Sequence, residues 1–327
     1  MCEDDKFCSS KLSKEIETHG NLTAAIRSLY KRLDSAAPGE DRCADLIREQ
    51  SPYGAILSNE LRNYLGDKIQ NDPARVIVPA LLHRLYACGP KDVVFLKNYF
   101  AKPKSKTTTS ETPAPPTTTD LVSSNSAFLS ALIKASELWT TPSPSWDDAT
   151  KSFQQGLFST QQYGDYDIIC LLRGNLSDPM CDHLINNNPE IDLTKLKPTP
   201  YLYKPDKYWK KYAPIPSHSS VVVINGGLDF QTPIEWGAAE FEGLQGRNGG
   251  KMMVTFETGV HCAGVSLQTT SDRTFCGFHI ISSYVLGGGD ISKVNTSCMD
   301  DLPAFNFADL NAITKKVDVK TADELYD

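Results

Sequence analysis

The chain has 327 residues, 40% hydrophobic and 22% charged, the profile of a globular protein with room for one large domain or two ordinary ones. Its net charge of −7 argues against a nucleic-acid partner, because phosphate binding needs a basic face. A membrane span is not expected: no apolar run approaches the ~18 residues it needs, and VIVPALL at 76–82 and VVVI at 221–224 are core-sized.

The opening MCEDDKFC is polar and acidic and lacks the apolar stretch of a secretory signal. Other features read as secreted. The nine cysteines (2, 8, 43, 88, 170, 181, 262, 276 and 298) show no clean C-x-x-C repeat, so a zinc ribbon is not expected. Sequons stand at Asn21-Leu-Thr23, Asn175-Leu-Ser177 and Asn295-Thr-Ser297. Cysteines and sequons together favour an oxidising compartment. That conflicts with the polar start, and one resolution is that Met1 is not the true start.

In chain order, residues 8–100 read as helical. KLSKEIETHGNLTAAIRSLYKRL places Leu22, Ala25, Ile26, Leu29 and Leu33 near helical spacing. NELRNYLGDKIQ and ARVIVPALLHRLYACGPKDVVFLKNYF continue the pattern, and Asp72-Pro73 supplies a helix start. Residues 101–125 are Thr/Pro/Ser-rich and read as a mobile loop, with O-glycosylation open to it. A helix over AFLSALIKASELW, 127–139, is closed by TTPSPSWDD. Residues 149–216 are mixed, and DIICLL at 167–172 reads as a short strand or a helix.

From 217 the character changes. SVVVIN is β-branched, as in a buried parallel strand. Thr232-Pro233-Ile-Glu235 reads as a capping box opening PIEWGAAEFEGL. KMMVTFE at 251–257 is a second strand, TGVHCAG a loop, and RTFCGFHIISSYVLGG a helix stopped by glycines. Strand, helix, strand, helix predicts a parallel α/β sheet. The tail, 301–327, reads as polar and peripheral.

In open parallel sheets, functional groups sit in loops at the carboxyl ends of strands. One such loop carries Asp229, the other His261. Adjacent strands would let the two hydrogen-bond, the carboxylate setting the imidazole tautomer and stabilising its cation. That pair is the acid and base of a serine-hydrolase triad, and in α/β-hydrolases the chain order is Ser, Asp, His.

The stretches VVVINGGLDFQTPIEWGAAEF, MMVTFETGVHCAG and CGFHIISSYVLGGGDISKVNTSC resemble the C-terminal region of the prolyl- and tripeptidyl-aminopeptidase-like serine peptidases, a family of α/β-hydrolases. The matching marks are Gly226 to Pro233, Gly259 to His261, Cys276 and Cys298. LYACGPKDVVFL and CEDDKFC also resemble the helical cap that precedes this region in the family.

The resemblance implies an incomplete α/β-hydrolase fold. Residues 1–165 would be a mainly helical cap, 166–216 a connecting segment, 217–300 the acid and base loops, and 301–327 a tail. It implies Asp229 as the triad acid and His261 as the general base. It also implies a peptide substrate cleaved at its N-terminal end, no cofactor or metal, and a secreted parent. The family's G-x-S-x-G elbow is expected before the cap, and no G-x-S-x-G occurs in the chain. Gly264-Val-Ser266-Leu fails the pattern and follows the histidine, and SHSSVVV precedes a strand. The simplest expectation is therefore a chain that starts where the cap starts. The alternative is a short protein that has lost its nucleophile. Either way, little or no hydrolysis is expected of these residues alone.

The same residues admit other readings. Asp229 after Gly-Gly also suits a plain turn. A zinc site from His261, Cys262, Cys276 and His279 is disfavoured against a Cys276–Cys298 disulfide. Cys2, Cys8 and Cys43 lie near one another, Cys170 and Cys181 can close a short loop, and an odd count leaves one thiol over. His19 and His83 read as solvated or packing residues, and Trp236 as core. Glu3-Asp4-Asp5 reads as a solvated run rather than a site for a peptide ammonium. A non-catalytic secreted glycoprotein and an ester hydrolase are the rival functions. Strand 221–225 is expected to carry an unpaired edge.

Overall fold

The computed structural model describes residues 1–51, 54–70, 74–101, 127–160, 166–181, 185, 200–246, 250–310 and 319–327. The Asp72-Pro73 helix start and the Thr/Pro-rich loop from 102 onward lie outside the described residues. The chain forms two units. Met1–Tyr99 and Lys210–Asp327 make one, and Phe100–Trp209 make the other.

The first unit begins with seven helices: α1 (Lys6–Lys11), α2 (Ser13–His19), α3 (Leu22–Ser35), α4 (Arg42–Gln50), α5 (Leu57–Gln70), α6 (Val78–Ala87) and α7 (Pro90–Phe100). Their boundaries follow from local chemistry. Gly20, at φ +86°, takes the left-handed position that ends α2. Asn21 then caps α3, its side chain accepting the Ala24 N–H at 2.8 Å. Asp41 caps α4 through the N–H groups of Cys43 and Ala44. On α3 the buried residues are Ala25, Ile26, Leu29, Tyr30 and Leu33, one helical stripe. Leu61 and Leu65 of α5 and Leu81 and Leu85 of α6 are buried too. Burial of each such leucine stabilises by roughly 1.5–3 kcal/mol. A Cys43–Cys88 disulfide ties α4 to the end of α6, and Cys2–Cys8 closes the N-terminal turn.

The second unit holds α8 (Ala127–Ile133), continued by a π-helical turn at Lys134–Leu138, then α9 (Trp146–Gln155) and α10 (Tyr166–Arg173). DIICLL is thus helical. Its face Ile169, Cys170 and Leu172 packs with Ala131, Ala135, Met180 and Cys181. Cys170 and Cys181 are bonded.

The rest of the first unit carries the predicted α/β segment. Strand β1 (Val221–Gly226) pairs in parallel with β2 (Lys251–Phe256), from Val221↔Lys251 to Gly226↔Phe256, with α11 (Ile234–Gly243) between them in sequence. Helix α12 (Cys276–Leu286) follows. Cys276 and Ile280, one turn apart, pack with Val254, Phe256, Ala263 and Leu267, and Cys276 is bonded to Cys298. Gly287, Gly288 and Gly289 end the helix, the last two at positive φ.

Three expectations are corrected here. Strand β1 is not fully buried: Val221 to Asn225 are all partly exposed, because its outer edge has no neighbour among the described residues. Trp236 is 66% exposed rather than core, and α11 buries none of its residues. The tail is not wholly peripheral. Leu325 is buried, and Arg84 donates from Nε to the Leu325 carbonyl at 2.9 Å and from Nη2 to the Glu324 carbonyl at 2.8 Å. No helix of the described residues is long and apolar enough to cross a membrane.

Candidate functional site

The ends of β1 and β2 are held together by backbone contacts that leave no space for side chains. The Gly227 N–H donates to Phe256 O at 2.8 Å, and the Leu228 N–H donates to Gly259 O at 2.9 Å. A Cβ on Gly226 would meet Gly259 O at 2.5 Å, and one on Gly227 would meet Glu257 O at 2.4 Å. The two glycines are the condition for the loops to touch. Asp229 and His261 then leave from loops that are bonded to each other.

Asp229 is well anchored. Its Oδ1 accepts the N–H groups of Gln231 at 2.8 Å and Thr232 at 2.9 Å. Its Oδ2 accepts the Thr232 hydroxyl at 2.6 Å and lies 3.0 Å from His261 Nδ1. The side chain is 7% exposed, against 39% for His261. Burial alone pushes the carboxyl up, but the Thr232 hydroxyl, the Thr232 and Gln231 amides and His261 outweigh it, and the carboxyl lies below its ordinary value.

These bonds determine the imidazole tautomer. The carboxylate only accepts, so His261 donates from Nδ1. The Thr232 hydroxyl hydrogen is already committed to Oδ2, and its oxygen, 3.2 Å from Nδ1, presents a lone pair to the same N–H. Nε2 of the neutral ring is therefore the acceptor. It makes no hydrogen bond to a described residue, and it belongs to the more exposed member of the pair. An acid beneath, an oriented imidazole above and a free Nε2 can take a proton from a nucleophile and return it to a leaving group.

The two residues expected to pair, Asp229 and His261, are thus brought together. The serines nearest in sequence are engaged elsewhere. Ser266 donates to Ala263 O at 3.2 Å, and Ser220 bonds Tyr284 at 2.8 Å and the Gly289 carbonyl at 2.5 Å. Cys262 is an exposed free thiol, adjacent to His261 with φ +60°. Cys276 is spent in a disulfide, and His279 lies 2.5 Å from the Thr274 hydroxyl, which removes two of the four residues weighed as a zinc set. The one metal-like cluster among the described residues, Asp41 with Cys43 and Cys88, contains the two sulfurs of a disulfide.

The capping box is also corrected. Helix α11 starts at Ile234 with Pro233 at its cap and no side-chain cap bond. Thr232 stands one residue before the cap position, and its hydroxyl donates to Asp229 Oδ2. Thr232 is the site residue that sequence reasoning misplaced. The signal was there in the Asp-x-x-Thr spacing, which lets a carboxylate close a turn on the third amide. His19 and His83, read as solvated or packing residues, have polar partners: His19 Nε2 lies 2.5 Å from the Tyr86 hydroxyl, and His83 Nδ1 lies 2.8 Å from the buried Glu15. Glu3 and Asp5 accept the N–H groups of Leu22 and Cys8, so they serve local structure.

Compared with family models, with curated proteins and with solved structures, the chain gives no match in any of the three.

Proposed function

We propose that Asp229 and His261 are the acid and general base of a serine-type hydrolase of the α/β-hydrolase class. The observation that carries this reading is the Asp229–His261 hydrogen bond at the ends of two parallel strands, with Nε2 bonded to no described residue. In this reading β1, β2, α11 and α12 are part of a larger parallel sheet. The exposed edge of β1 and the exposed Trp236, Phe278, Val285 and Leu286 suit such an addition. A serine from a strand–turn–helix elbow attacks the carbonyl, His261 takes its proton and passes it to the leaving amine, and Asp229 holds the ring. The resemblance to the prolyl- and tripeptidyl-aminopeptidase-like peptidases makes the substrate a peptide cut near its N-terminus. The four disulfides and the exposed sequon residues Asn21, Asn175 and Asn295 suit a secreted glycoprotein.

A second reading rests on the surroundings of Nε2. No described serine, threonine or cysteine bonds to it, so these 327 residues by themselves would act as a non-catalytic binding protein.

The two are separated by fluorophosphonate labelling of the native protein, captured from its source with an antibody raised against this chain, beside the recombinant 327-residue chain. The hydrolase reading expects label on native material, at a serine in a G-x-S-x-G peptide outside these residues, and none on the recombinant chain. Unlabelled native material of the same 327 residues would overturn it in favour of the binding protein.

A further inference from the structure

We infer that Arg75 is a positioning residue for His261, acting on its loop from the helical part of the same unit. The inference rests on His261 as the base, and nothing in the sequence pattern points to it.

Between the end of β2 at Phe256 and His261 the chain runs through Glu257, Thr258, Gly259 and Val260. The carbonyls of Glu257 and Gly259 lie against the loop of Asp229: one is the atom that excludes a side chain at Gly227, and the other accepts the Leu228 N–H at 2.9 Å. The carbonyl between them is that of Thr258. It accepts a hydrogen bond from Arg75 Nη2 at 2.7 Å, across 183 positions of sequence. The loop is thus held both by the acid loop and by a guanidinium.

Arg75 is built to hold still. It sits in the turn Ala74–Ile77 before α6, is 6% exposed, and carries its guanidinium carbon 4.7 Å from the ring of Phe305. A planar guanidinium stacked on an aromatic face presents its N–H in a fixed direction, which an ammonium on a flexible stem does not. A charged donor also binds a carbonyl more strongly than a neutral one. Thr258 is three residues from His261, so a shift of its carbonyl turns the imidazole away from Asp229 Oδ2.

The test uses the full 327-residue chain and two readouts that need no catalysis. One is the low-field proton resonance of His261 Nδ1–H in its bond to Asp229. The other is hydrogen exchange at the Leu228 amide. Arg75→Ala is expected to broaden or abolish the first and to accelerate the second about tenfold, the factor an ordinary lost hydrogen bond gives. Arg75→Lys and Phe305→Leu are expected to fall between it and the parent.

Arg84→Ala is the control. That residue is a buried arginine of α6 bonded to Asp92 and to the tail carbonyls, so its loss should lower thermal stability and leave both readouts unchanged. The inference is overturned if folded Arg75→Ala keeps both parental signals. If that variant does not fold, parental signals in Arg75→Lys and Phe305→Leu overturn it equally. A parent chain lacking the low-field proton would instead sink the acid–base reading of Asp229 and His261, and the Leu228 amide would still decide on Arg75.

Discussion

The Leu228 N–H donates to the Gly259 carbonyl at 2.9 Å, so the loop that carries Asp229 is bonded to the loop that carries His261. The acid–base pair is therefore a consequence of backbone contact between strand ends, and the side-chain bond at 3.0 Å sits on top of it. Small residues at Gly226 and Gly227 make that contact sterically possible.

Gly227→Ala tests this directly. Its new Cβ would stand 2.4 Å from a backbone oxygen, Glu257 O, which has no flexible end to move aside. The loops must part, at a cost of about 2 kcal/mol. Denaturant unfolding should show that loss, and the His261–Asp229 proton resonance should weaken with it. An alanine variant with parental stability would mean that the loops are looser than their contacts indicate.

The Asp229 carboxyl lies below its ordinary value of 3.8, which makes its contribution pH-dependent with a definite sign. A carboxyl lowered by folding stabilises the native state above the unfolded value, and the contribution is lost as pH falls through the folded value. The stability gap between the parent and Asp229→Asn should be full near neutrality and close progressively in acid below about pH 4. Thr232→Val removes one hydroxyl donor to Oδ2, costs about 1 kcal/mol and raises the Asp229 value, whereas Thr232→Ser retains the donor. Urea titrations across the acid range and carboxyl carbon shifts read both effects. A gap that widens as the pH falls would contradict the hydrogen-bond arrangement.

Four disulfides leave Cys262 as the free thiol, and it is exposed. Alkylation of the folded, unreduced protein should modify Cys262 and no other cysteine, and peptide mapping would show it. Replacing Cys43 and Cys88 together by serine should cost roughly 2–5 kcal/mol, since their bond ties α4 to the end of α6. Uptake of more than one equivalent of reagent would refute the pairing.

Much of the architecture was legible because it rests on short-range signals. The stripe Ala25, Ile26, Leu29 and Leu33 marks α3, and two apolar runs separated by PIEWGAAEFEGL mark β1, α11 and β2, whereas the break at Gly20 and Asn21 lies inside a stretch read as continuously helical. The pairing of Asp229 with His261 followed from the same logic, since residues placed just after adjacent parallel strands meet at one end of a sheet. Trp236 reads as core from its place in the first turn of α11, yet it is exposed and α11 buries none of its residues. Thr232 reads as a helix cap, but α11 starts one residue later, at Ile234 with Pro233 in the cap position, and the Thr232 hydroxyl donates to Asp229.

The sequence by itself therefore determined the order of elements, the helical periodicities and the two loops that carry the acid and the base. These depend on residues within a turn or a strand of one another. Only the tertiary structure decided that Arg75 reaches Thr258, that Leu325 is buried with its carbonyl on Arg84, and that Cys43 meets Cys88. Those contacts join positions far apart in the chain and are selected by the packing of whole faces, which leaves no periodic mark in either partner.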